Sequence, residues 1–73
     1  MNVGEAVAAA KQHLAALFAE TPLKDLRLEE FLWDDHIGFW TLTLGYKPAE
    51  GPRAYKIVRV AEADKAVLSV VDR

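Results

Sequence analysis

Cysteine is absent from all 73 residues, so neither a disulfide framework nor a thiolate metal site supports the fold. Proline and glycine are scarce, at three and four residues. The glycines, at 4, 38, 45 and 51, form no phosphate-cradling loop. No apolar run approaches the roughly 20 residues of a membrane span. Nor does either sign of charge dominate. Nine Lys and Arg against eleven Asp and Glu leave a net charge of −2, too balanced to hold a phosphate backbone through charge alone. The opening residues, Met1 to Ala6, have no basic segment followed by a long apolar one. These absences lead to the expectation of a cytoplasmic protein with no membrane contact, and charge alone does not imply a nucleic-acid partner.

What is present is apolar content, at 52% of residues. A chain this short buries only about 60 to 65% of its unfolded surface. Some of its apolar surface is then left exposed or is buried against a second chain, and the expected state is a single domain, 1–73, that pairs as a homodimer.

The stretch Gly38 to Tyr46 is the most legible. Trp40, Leu42, Leu44 and Tyr46 alternate with Phe39, Thr41, Thr43 and Gly45, the period-2 pattern of a strand with one apolar face. Before it, Val3, Ala6, Val7, Ala10, Leu14, Leu17 and Phe18 fall on one stripe, and seven alanines from 6 to 19 add helix propensity. The prediction is a helix from Val3 to about Ala19, with Asn2 as N-cap, Glu5 at the positive end of the dipole and Thr21-Pro22 as the stop. From Leu26 to Trp33 a second strand is expected. Its apolar residues switch parity after Leu28, which calls for a bulge or for two partly buried faces. Residues 34–38 supply the turn that makes these two strands a hairpin. Lys47 to Pro52 carries two prolines and a glycine and is a loop. Arg53 to Ala61 and Ala66 to Val71 read as two more strands, joined by a short turn. One helix with one apolar stripe and one sheet with one apolar face bury each other. The expected fold class is therefore α+β, an N-terminal helix on a four-stranded antiparallel meander, in the order α-β-β-β-β and in two layers.

No residue set carries catalytic chemistry. Asp34, Asp35 and His36 offer ligand atoms, but three polar residues in a tight turn are what a solvated hairpin needs. Glu29 and Glu30, as strand neighbours, are expected on opposite faces, where they flank no common substrate. Ser69 lacks the glycine context of a nucleophile elbow. The expectation is a protein that is not an enzyme and that uses no metal and no cofactor.

The face carrying Thr41 and Thr43 has nothing left in the chain to cover it. Phe39, Thr41, Thr43, Tyr55 and Ile57 are the candidate interaction face, for a protein or peptide at that face or at an edge strand. A small-ligand or enzymatic pocket between helix and sheet, near Trp40 and His13, is the alternative. A second alternative is nucleic-acid binding through the basic third strand with its aromatic neighbours. Charge is uneven: Glu20, Asp25, Glu29, Glu30, Asp34 and Asp35 crowd residues 20–35, while Lys47, Arg53, Lys56 and Arg59 dominate 47–59.

The order of an Ala-rich helix, a hairpin, then Tyr55-Lys56-Ile57-Val58-Arg59-Val60, a short turn and Val67-Leu68 resembles the small PepSY-like domains, and short bacterial α+β proteins of the same layout. Val60 and Val67 match the valines that flank the last PepSY hairpin, whereas Ala61, Asp64 and Lys65 stand where that family has aspartate, threonine and glycine. The resemblance implies an inhibitory or peptide-binding role, commonly outside the cytoplasm, and transfers no functional residue.

Overall fold

The computed structural model describes residues 2–73. Helix α1 spans Val3–Leu17, and four strands follow it: β1 Lys24–Asp34, β2 Phe39–Lys47, β3 Ala54–Ala61 and β4 Val67–Asp72. The strands form one antiparallel sheet in the order β1-β2-β3-β4, the meander that short connections favour.

Asn2 caps the helix reciprocally. Its Oδ1 accepts from the Glu5 amide at 2.9 Å, and Glu5 Oε1 accepts from the Asn2 amide at 3.0 Å. The pair is a capping box that satisfies donors the first turn would leave open. At the other end the helix stops sooner than Thr21-Pro22 demands. Phe18 leaves the helical region at φ −111°, ψ 37°, its amide still donating to the Leu14 carbonyl at 2.9 Å. This break lets the Phe18 ring pack against the core, while Leu17, expected on the apolar stripe, stays 57% exposed.

Ala6, Ala10 and Leu14, spaced four apart on the inner face of α1, close over Leu42 and Leu44 of β2 and Val58 and Val60 of β3. The methyl-sized alanines let the helix backbone approach the sheet, and each buried Leu or Val side chain contributes about 1.5 to 3 kcal/mol. Register places Leu42 opposite Val58 and Trp40 opposite Val60, so even-numbered residues of both strands face the helix. The odd-numbered residues face away from it.

Three register shifts break the ladder. One lies between Lys24 and Arg27. A second lies between Leu28 and Glu30, where the parity of the sequence switches, and it is the bulge alternative of the sequence reading. The third lies between Arg59 and Val60 in the pairing with β4. All three involve an edge strand.

Gly45 lies where the sheet surface closes tightly over β2. A Cβ there would meet Glu29 Cγ at 3.1 Å, Tyr55 Cε1 at 3.1 Å and an Arg53 terminal nitrogen at 3.2 Å. Tyr55 stands directly opposite it on β3, so its ring covers backbone that no β2 side chain shields.

Candidate functional site

Alternation and register bring the five candidate residues onto one face. Thr43 stands opposite Ile57, Gly45 opposite Tyr55, and Phe39 and Thr41 continue the same parity along β2. The rows extend across all four strands. Leu32, Thr41, Arg59 and Ser69 form one row, and Glu30, Thr43, Ile57 and Val71 the next. Among the described residues no element covers these rows, but the face closes partly over itself. Thr43 is only 4% exposed, between Leu42 and Leu44 in sequence and opposite Glu30 and Ile57 in the sheet. Sequence parity finds the face and not this closure.

The bulge corrects the reading of Glu29 and Glu30. Glu30 aligns with Thr43, and the Glu29 side chain packs beside Gly45, so both carboxylates lie on the open face. A bulge sets two residues against one partner, which cancels the alternation that would separate them. At the opposite side of the face, the Arg59 guanidinium lies 5.9 Å from the Phe39 ring and that of Arg73 lies 5.3 Å from the Tyr55 ring. Both are in cation–π range. The open face thus carries two acids at its β1 side and two arginines at its β3 and β4 side. Among the described residues none of these four has an ion-pair partner.

Other charges are spent internally. Asp25, held at φ 54°, takes Arg27 at 2.9 Å and Arg53 at 2.9 Å, and its carbonyl also accepts from Arg53 at 3.0 Å. The Arg27 hydrogen bond, with the charges of Arg27 and Arg53, holds the Asp25 carboxyl below the usual aspartate range. Lys56 projects to the helix side, where its ammonium pairs with Asp72 and lies 5.0 Å from the Phe18 ring and 5.7 Å from that of Tyr46. Lys47 donates to the Gly51 carbonyl. Of the four basic residues expected to serve a nucleic acid, Arg59 alone stands free on the open face.

The turn after β1 is structural. Asp34 Oδ1 accepts from the His36 amide at 3.0 Å and the Ile37 amide at 3.1 Å, and Gly38 at φ 79° closes the loop. No group of three or more potential metal ligands occurs among the described residues. Trp40 and His13 are engaged separately. Trp40 Nε1 donates to Glu62 at 3.0 Å, whereas His13 lines a shallow hollow with Ala9, Gln12, Lys65 and Val67. A larger hollow of about 490 Å³ opens at the far end of the helix between Phe18, Pro22, Leu23, Tyr46 and Pro48. Its size suits a small ligand, and its lining is mainly apolar, with Glu20, Thr21, Lys24 and Lys47 at its rim.

Beyond the helix lies a second apolar surface. Trp40 stacks at a tilt against Trp33, 5.2 Å between centroids, and against Phe31 at 6.2 Å. Phe31 and Trp33 remain 51% and 44% exposed, and Leu32, on the opposite face of the same edge strand, 61%. The parity switch was its only sequence signal.

Together the fold and this face define a small α+β domain with one covered and one open sheet surface. Comparison with protein-family models, with curated proteins and with solved structures finds no match to this chain. No helix among the described residues is long and apolar enough to cross a membrane.

Proposed function

We propose that this chain is a non-enzymatic interaction module that works as a homodimer and meets its partner through the open sheet face. The observation that carries the proposal is the gathering of Phe39, Thr41, Thr43, Tyr55 and Ile57 on a face that no element among the described residues covers. Charge adds support. Among the described residues Glu29, Glu30, Arg59 and Arg73 have no ion-pair partner on this face, where an external surface can pair them.

A second reading is favoured by Phe31, Leu32 and Trp33, three consecutive large apolar residues on an unpaired edge, which suit the addition of an extended peptide strand. The PepSY-like resemblance points the same way. We rank it second because β1 carries a bulge and flanking acids, features that discourage strand addition. Action in the cytoplasm belongs to the same proposal and is checked by fractionating the native cells.

Sedimentation equilibrium tests the leading reading. The expected result is a species of roughly twice 8.1 kDa at several hundred micromolar. Phe39→Asp, shown by circular dichroism to remain folded, should return it to the single-chain mass. A wild-type monomer at several hundred micromolar, with a variant that sediments identically, overturns the proposal.

A further inference from the structure

Two facing sheets of this kind meet about 10 Å apart in one of two symmetric ways. If the two-fold axis runs across the strands, β1 of one copy lies over β1 of the other. Glu29 and Glu30 then face their own equivalents. If the axis runs parallel to the strands, between β2 and β3, strand order is reversed between copies and β1 of each lies over β4 of the other. The acidic side of one face then covers the basic side of its partner.

We infer that the open face is occupied by a second copy of this chain, related by a two-fold axis parallel to the strands, with Glu29 of each copy, in the row of Gly45 and Tyr55, meeting Arg73 of the other. The inference rests on the homodimer proposed above and fixes its arrangement. Three observations point to it. First, the four charges are the ones on this face without ion-pair partners among the described residues, and they divide by sign across the sheet. Second, the same axis sets β2 over the other copy's β3, so that the shorter Thr43 opposes the longer Ile57. Small against large is how two sheet surfaces interlock without voids. The axis across the strands instead sets Thr43 on Thr43 and Ile57 on Ile57. Third, the area is sufficient. Four strands spaced 4.8 Å apart over six to eight residues present a face of about 400 Å² in projection, and its side-chain relief raises the burial to about 600 to 800 Å² per copy, the lower end of stable interfaces.

Complementary charge reversal tests the arrangement. Glu29→Arg places two arginines in each contact, and Arg73→Glu places two acids, so each variant alone should dissociate at least about tenfold more readily than wild type. Mixed in equal amounts, they restore both opposite-charge contacts in a heterodimer. Sedimentation equilibrium of the mixture should recover the dimer mass, and circular dichroism of each variant confirms that both are folded. Variants that dimerise as well as wild type, or a mixture no more associated than its components, overturn the arrangement while leaving the homodimer proposal standing. A monomeric wild type overturns both.

Discussion

Replacing Gly45 with alanine sets two opposing effects against each other, and the surroundings of this residue decide the sign. In an ordinary strand the change stabilises by about 0.5 to 1 kcal/mol, because glycine loses more conformational freedom on folding. Here the new methyl meets Glu29 Cγ, the Tyr55 ring and the Arg53 guanidinium at 3.1 to 3.2 Å, a few tenths of an ångström inside ordinary contact. Glu29 swings aside at little cost. Arg53 does not, being tied to Asp25 through two bonds, and the Tyr55 ring is confined beneath Arg73. Overpacking of this kind costs about 1 to 3 kcal/mol. The net expectation is a loss of about 1 kcal/mol, or roughly 5 °C in Tm for a domain of this size. Urea denaturation followed by tryptophan fluorescence measures it directly. A variant as stable as wild type, or more so, would refute the claim that Tyr55 and Arg53 are held in place.

Three further outcomes follow from the packing and the helix start. Leu42→Ala, at a fully buried position, should cost about 2 to 5 kcal/mol in the same urea assay, while Leu32→Ala, 61% exposed, should stay within about 0.5 kcal/mol. Asn2→Ala should cost about 1 kcal/mol at neutral pH by removing the acceptor for the Glu5 amide, and a thermal melt reads the loss. The hydrogen bond from the Asn2 backbone, followed by the charge of Lys65, holds the Glu5 carboxyl below the usual glutamate range. Because the folded-state value lies below that of the unfolded chain, the contribution of the Glu5 charge is whole above the ordinary glutamate range and is lost as the pH falls through the lowered value. The stability difference between wild type and Glu5→Gln should therefore shrink on acidification. A difference that is constant or grows toward low pH contradicts the cap.

The middle of the chain was the easiest to read because one physical rule governs it. Leu42 and Leu44 alternate with Thr41 and Thr43 without interruption, so both faces of β2, and the parity of Val58 and Val60 opposite, follow from the sequence. The helix was legible for the same reason, but its end was not. Phe18 breaks it to place a ring over Lys56, a long-range contact that no local pattern encodes. At β1 the sequence announced a parity switch without saying how the chain resolves it. The bulge puts Glu29 and Glu30 together, reversing the expectation drawn from simple alternation. The candidate face was found by parity alone. Its charge pattern was hidden because composition counts Lys56 and Arg53 with Arg59, although the first turns to the helix side and the second is bound to Asp25. What remains on the face is a smaller set of charges, sorted by sign.

The central claim, that this protein associates through the open sheet face, is tested most directly by a dilution series of amide nuclear magnetic resonance spectra. If the claim is right, lowering the concentration from millimolar to micromolar shifts the amides of Thr41, Thr43, Tyr55 and Ile57, and leaves those of α1 unchanged. Shifts confined to Phe31, Leu32 and Trp33, or spectra that do not change with concentration, would contradict it.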